Sequence, residues 1–221
     1  MSVSRGSGCS RLDTPAIPTD GPGLRVSAPA ARVAAIVLAA GEARRYGSQK
    51  LLAPLAGRPL LQHAVDAACA SSLSPIVIVL GADADAIAAQ LDPGRARIVR
   101  NPDYASGQAS SLRSGVDSIG ADADAAVVLL GDQPGVTAAL LDALVAHQRE
   151  TGAVAVLCLQ DGRRSPPTLL HQELWPEIAA LRGDVGAREI LARRSDVTTM
   201  TVERAFARLD DIDTRDDLAR L

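Results

Sequence analysis

The chain has 221 residues, 47% of them apolar, and a formal net charge of -3. That length suits one domain with a tail, and the mildly acidic balance without a long basic run argues against a general nucleic-acid or membrane surface. Tyr46, Tyr104, Trp175 and Phe206 are all the aromatics there are, so Ala, Val, Leu and Ile must build the core. The cysteines Cys9, Cys69 and Cys158 are odd in number and form no C-x-x-C pair, so they indicate neither a disulfide framework nor a zinc site. No stretch reaches membrane-spanning length, and the N-terminal residues show no apolar signal segment. A reducing, cytoplasmic setting is expected.

Residues 1–32 are rich in Ser, Pro, Gly and Ala and show no apolar period. They predict a disordered tail, with one domain spanning residues 33–221. The apolar run at 33–38 predicts a buried strand. Helical spacing of Leu60, Leu61, Ala64, Val65, Ala68 and Cys69 predicts a helix over 59–70, with a proline near its start. A second buried strand follows at 76–80, then a short helix at 84–91. A strand at 97–100 ends at the turn signal Asn101-Pro102. Residues 110–119 carry Leu112, Val116 and Ile119 on one helical face, and 126–130 form the next buried strand. Thr137 can cap a helix bearing Leu140, Leu141, Leu144 and Val145. A strand at 154–159 and helices at 174–181 and 187–193 come next. Thr214 with Asp217 predicts a capping box for a last short helix.

Strands without polar alternation, separated by helices, predict a three-layer α/β fold, a mostly parallel sheet with helices on both faces. Ligands of such sheets bind outside the strand carboxyl ends. Two stretches fall there. Leu38, Ala39, Ala40 and Gly41 leave the first strand, and Arg44, Arg45 and Lys50 follow within ten residues. A glycine turn with cations behind it can hold a polyphosphate. It is neither a P-loop, lacking the Gly-Lys-Ser/Thr ending, nor a dinucleotide fingerprint, because Gly41 and Gly47 contain no G-x-G. Asp132 closes the strand at 126–130, where a carboxylate can hold Mg²⁺ together with substrate phosphates. Gly107, Ser110 and Ser111 open a helix, where free N–H groups and hydroxyls can read a base or ribose. The histidines His63, His147 and His171 lie in no motif, and no general base is evident.

The stretch LAAGEARRYGSQKLL resembles the signature loop of the MobA-like nucleotidyltransferases. NPDYASGQASSLRSG, GDQPGV, GDVGAR and DIDTRDDL follow in that family's order and point to its molybdenum cofactor cytidylyltransferase branch. The resemblance spans about residues 33–221. It implies a Rossmann-like nucleotidyltransferase fold that transfers CMP from CTP to the phosphate of molybdopterin, with Mg²⁺ and release of pyrophosphate. Arg45 and Lys50 would contact the triphosphate, and Asp132 with Asp213 would hold the metal, Asp211 being the alternative to Asp213. The backbone of Leu38 to Gly41, Gly47, Gly107, Ser110 and Ser111 would bind the nucleotide. Asp184 and Arg188, in GDVGAR, would face the acceptor. A molybdenum hydroxylase or its maturation factor is the implied partner. The alternatives are GTP or a sugar or polyol phosphate acceptor, and a non-catalytic carrier of finished cofactor. Two departures stand out: Ala43 and Tyr46 replace the usual small hydroxyl residue and methionine, and Ser165-Pro166 replaces Gly-His before Pro167. The second bears on the acceptor.

Overall fold

A computed structural model describes residues 30–41 and 49–220. The elements in chain order are β1 (Val33–Ala39), β2 (Pro54–Leu55), β3 (Arg58–Pro59), α1 (Leu60–Ala70), β4 (Ile76–Leu80), α2 (Ala84–Gln90), β5 (Arg97–Arg100) and α3 (Gln108–Ile119). Then come β6 (Ala125–Leu130), α4 (Ala138–Thr151), β7 (Ala155–Gln160), β8 (Arg163–His171), α5 (Trp175–Ala180), α6 (Arg188–Leu191), β9 (Val197–Thr201) and α7 (Arg215–Ala219).

The main sheet has seven strands in the order β5-β4-β1-β6-β8-β7-β9. β1 lies between β4 and β6 and is parallel to both. Its residues alternate between two cores because both faces are covered. Ala35 and Val37 pack with Leu61 and Val65 of α1, Ile87 of α2 and Leu140 and Leu144 of α4. Ala34 and Ile36 pack with Leu112 and Val116 of α3, Ile178 of α5 and Ile190 of α6. A strand buried on both faces needs apolar residues throughout, which is why its sequence shows no alternation. This is the expected Rossmann-like α/β architecture.

The sheet is less uniform than its first half. β8 is antiparallel to both β6 and β7. It returns from β7 through the two-residue turn Asp161-Gly162, whose φ angles of +50° and +75° fit the mirror-image turn that matches strand twist. The reading of 154–159 as a strand missed its hairpin partner, because β8 opens with two arginines and contains Pro166 and Pro167. β9 was missed too, being a half-exposed edge strand of sequence VTTMT.

Element ends moved for local reasons. α3 starts at Gln108, two residues before the expected start, with Gly107 as its N-cap at φ +108°. α6 covers only Arg188–Leu191, since tighter Arg193-to-Ile190 and Arg194-to-Leu191 bonds close the turn. The capping box of α7 is present: the Thr214 hydroxyl accepts from Asp217 N–H, and the Asp217 carboxylate accepts from Thr214 N–H at 2.8 Å. At the other end, Ala30 to Arg32 are fastened to the domain rather than lying beyond it. Ala30 N–H donates to Gln148 Oε1, and the N–H groups of Ala31 and Arg32 donate to the Asp124 carboxylate. The tail expected before them lies outside the described residues.

Candidate active site

β1 and its two parallel neighbours deliver their carboxyl ends to one edge of the sheet. From β1 the chain steps first to β4 on one side and later to β6 on the other. Such a switch in direction leaves a crevice at the strand ends. A cleft of about 740 Å³ lies there. Leu38, Ala39, Ala40 and Gly41 line it, as expected, and Leu130 and Asp132 bring in the end of β6. Gly81, at the end of β4, is needed for close packing, since a Cβ there would sit 2.5 Å from Tyr104 Cβ and 2.8 Å from the Ala40 carbonyl.

Lys50 enters from a short 3-10 turn, Lys50–Leu52. Leu51 is buried in the core and anchors that turn. The Lys50 ammonium donates to Asp132 Oδ2 at 2.8 Å and to Asp213 Oδ1 at 3.4 Å. Burial by itself would lower the Lys50 pKa. The Asp132 charge and hydrogen bond, then those of Asp213, outweigh it and move the pKa up. Lys50 is therefore a firm cation held between two carboxylates.

Asp213 arrives on an irregular arm that follows β9. The arm is pinned where Ile212 N–H donates to the Asp132 carbonyl at 3.1 Å and the Ile212 side chain buries against Ala53 and Leu60. Two buried glutamines hold it further back. Gln133 donates to Leu209 C=O and to Ser165 Oγ. Gln160 donates to the Ala207 and Val202 carbonyls and accepts from Leu209 N–H. Asp213 lines the cleft, and its carboxylate contacts the Lys50 ammonium. Asp211 flanks the same cluster. Loss of water and then the neighbouring Asp132 charge push its carboxyl up to about 6, although the residue keeps an exposed side.

One observation bears directly on a metal. Asp132 Oδ1 is buried and has no hydrogen-bond partner among the described residues, while Oδ2 is taken by Lys50. A buried, unpaired carboxylate oxygen is costly unless a ligand completes it. Among the described residues no group of three or more His, Cys, Asp and Glu forms a ready metal cage. Two carboxylates fit a hard cation that keeps its waters and arrives with phosphates, as Mg²⁺ does.

The opposite wall is the loop from Tyr104 to Gly107 and the first turn of α3. Asn101, buried at its base, donates to Ser110 Oγ at 2.8 Å and Ser111 Oγ at 3.1 Å and accepts from Asp103 N–H. Ser111 lines the cleft, but Ser110 does not. The Ser110 hydroxyl donates to the Gly107 carbonyl and faces a second hollow of about 470 Å³ behind the loop. Gly107 has its own reason for being glycine: besides its positive φ, a Cβ there would overlap the Gly183 carbonyl. Ala109 N–H donates to that carbonyl at 3.1 Å, and Gln108 N–H to Asp184 Oδ1 at 3.4 Å. Asp184 thereby reaches the cleft. Arg188 does not line it: Ile190 and Leu191 fill the inward side of α6 and leave Arg188 exposed. Arg45 and Gly47, with Ala43, Arg44 and Tyr46, lie outside the described residues. Tyr104, Ser106 and Gln108 line the cleft without having been singled out, although they belong to the quoted NPDYASGQASSLRSG stretch.

Fold and site define a doubly covered α/β protein with a cleft of about 740 Å³, a fixed cation and paired carboxylates at the strand ends. The chain belongs to the MobA-like NTP transferase domain family, whose profile matches residues 35–197. It is thus a nucleotidyltransferase by family. It is 32% identical to nicotine blue oxidoreductase of Paenarthrobacter nicotinovorans over 86% of this chain and 96% of that protein. It is also 32% identical to the purine catabolism protein PucB of Bacillus subtilis, over 82% of this chain and 92% of that one. Among solved structures, Rv0371c of Mycobacterium tuberculosis in complex with manganese superposes with a TM-score of 0.72 at 25% identity, covering 86% of this chain and 97% of that one. No helix among the described residues is long and apolar enough to cross a membrane.

Proposed function

We propose that this protein is a cytidylyltransferase that moves CMP from CTP to the terminal phosphate of molybdopterin or its molybdenum form, in the cytoplasm. The reading rests on the Lys50–Asp132–Asp213 cluster, with its unpaired Asp132 oxygen, in a cleft at the strand ends. The manganese complex of a structural relative supports a divalent cation at such a site.

In the proposed step an acceptor phosphate oxygen attacks the α-phosphorus of CTP. The bond from the α-phosphorus to the bridging oxygen breaks, and pyrophosphate leaves with the electron pair. Mg²⁺, bound through Asp132 and Asp213, would supply Lewis-acid neutralisation of the triphosphate. The chain's own contribution is positioning and fixed charge. Lys50 sits where negative charge would grow on the leaving pyrophosphate, with Arg45 assigned to the same task. Backbone groups of Leu38, Ala39, Ala40 and Gly41 cradle the phosphates, a task the resemblance also assigns to Gly47. Gly107 and Ser111 face the nucleoside, and Asp184, at the joint with that wall, meets the acceptor. Arg188 reaches the acceptor only from the rim. No side chain has to take a proton, because the attacking phosphate is already ionised at pH 7. The product would pass to a molybdenum hydroxylase or its maturation factor.

Pyrophosphate release measured with each of the four nucleoside triphosphates, with molybdopterin or its molybdenum form, and with Mg²⁺ or a chelator tests this. CTP should lead the panel, and the chelator should abolish release. Preference for GTP or for a sugar or polyol phosphate would move the substrate assignment. Tight binding of finished cofactor without pyrophosphate release would make the chain a carrier. One relative bears an oxidoreductase name, so a reduced nicotinamide arm belongs in the same panel, and turnover there would overturn the transferase reading.

A further inference from the structure

The Lys50 turn is anchored at both ends, and the two anchors do different things. Leu51, buried in the core, fixes how deep the turn sits. Ala53, just after the turn, packs against Leu60 and Ile212 and holds its far end. Gln49 holds the near end. Its Oε1 accepts from Leu51 N–H at 3.4 Å and caps the turn, while its Nε2 donates to Asp83 Oδ2 at 2.9 Å. A carboxylate only accepts, so this orientation of the amide is the one the contact allows. Asp83 stands just past β4, in the left-handed region at φ +52°, as N-cap of α2. Its neighbour Ala82 donates to the Ala40 carbonyl, in the turn that leaves β1. The Gln49–Asp83 bond therefore ties the returning end of the signature loop to the sheet framework.

We propose that Asp83 is a positioning residue that, through Gln49, sets the direction in which Lys50 presents its charge to the triphosphate. The inference rests on the reading of the cleft as a triphosphate site. Lys50 must exchange Asp132 and Asp213 for phosphate oxygens without losing its place, and a turn held at both ends limits that exchange to side-chain torsions. A turn loose at its near end would spread the ammonium over more positions, and each ligand would have to order it again.

Substitutions at Asp83 must respect its backbone. Asp83→Gly keeps the left-handed conformation and removes the acceptor. Asp83→Asn keeps both, since asparagine tolerates that region and its carbonyl accepts. Asp83 is exposed, so both variants should melt with the wild type. In titrations of the full chain with CTP and Mg²⁺, Asp83→Gly and Gln49→Leu should each weaken binding roughly five- to tenfold, the size of one ordinary net hydrogen bond at an exposed position. Asp83→Asn should stay within about twofold. In a Lys50→Ala background, Asp83→Gly should cost less than about twofold more, because the residue it positions is gone. CTP binding by Asp83→Gly equal to wild type, or an undiminished loss in the Lys50→Ala background, overturns the inference. If Lys50→Ala itself binds CTP like wild type, the reading of the cleft fails first, and the inference with it.

Discussion

The two sides of the cleft are built in opposite ways. The wall of Ala39, Ala40, Leu130 and Asp132 consists of strand ends inside a parallel ladder, and α3 backs it with twelve residues of regular helix. The arm that brings Asp213 has no regular structure from Val202 to Asp213. It is stitched to the sheet by Gln133, Gln160 and the Ile212 contact. The first wall is as stable as the core itself. The second depends on a few bonds, each worth about 1 kcal/mol, and on the burial of Val202, Ala207, Leu209 and Ile212. Damage to the strand ends should therefore abolish chemistry without moving the arm, whereas damage to the stitches should loosen the arm before the core fails.

Asp132→Asn is the largest expected effect. The fold should persist, and turnover should fall on the order of 100-fold or more, because a neutral amide binds a divalent cation weakly and holds Lys50 without the charge. Thermal melting beside pyrophosphate release checks both parts. Activity near wild type at limiting Mg²⁺ would remove Asp132 from the site. Lys50→Ala comes next, with an expected loss of roughly 10- to 150-fold in CTP affinity and rate, the range of one charge-assisted contact.

Gln160→Leu tests the stitched side. It strands the Ala207 and Val202 carbonyls and Leu209 N–H in a buried setting. Denaturant unfolding should show a loss of roughly 1–3 kcal/mol, with proteolysis of the arm rising before global unfolding. Cleavage in the arm that tracks only global unfolding would show that the arm is not a separate weak unit.

Arg188→Ala should have a small effect on the nucleotide side. The residue is exposed and does not line the cleft, so stability should hold within about 0.5 kcal/mol. CTP affinity should stay within about twofold of wild type, while the apparent constant for the molybdopterin substrate rises. Damage to CTP affinity as large as that of Lys50→Ala would misplace the acceptor side.

The same contrast explains what could be read from the sequence. β1, β4 and β6 are continuous apolar runs because both faces are covered, and Asp132 follows the last of them after Gly131 alone. The arm offers no period. Asp211 and Asp213 flank the buried Ile212, and only the fold shows which one meets Lys50. Ser110 and Ser111 stand side by side, and the bond from the Ser110 hydroxyl to the Gly107 carbonyl turns Ser110 away. The Asp161-Gly162 signal for the hairpin was present but was masked by the arginines and prolines that follow it.

The smallest expected effect belongs to Asp211, and its sign is set by linkage. Its carboxyl moves from an ordinary value near 3.8 up to about 6 in the fold, first because water is crowded out and then because Asp132 is close. The folded chain thus holds this proton more tightly than the unfolded one does. Stability from the neutral group is present below about pH 4 and is lost as pH rises through about 6, where the buried charge becomes a penalty. Asp211→Asn keeps the side chain's size and a carbonyl acceptor and removes the charge. Measured without nucleotide and with a chelator present, wild type and variant should melt together near pH 4. By pH 7 the variant should melt higher, and the gap should open between those values. Because the residue keeps an exposed side, solvent will screen much of the penalty, so a shift of a degree or two is expected, near the small end of what single substitutions do. A variant that melts lower than wild type at pH 7 would mean that the Asp211 charge is stabilised in the folded chain, and that Lys50 outweighs Asp132 at that position.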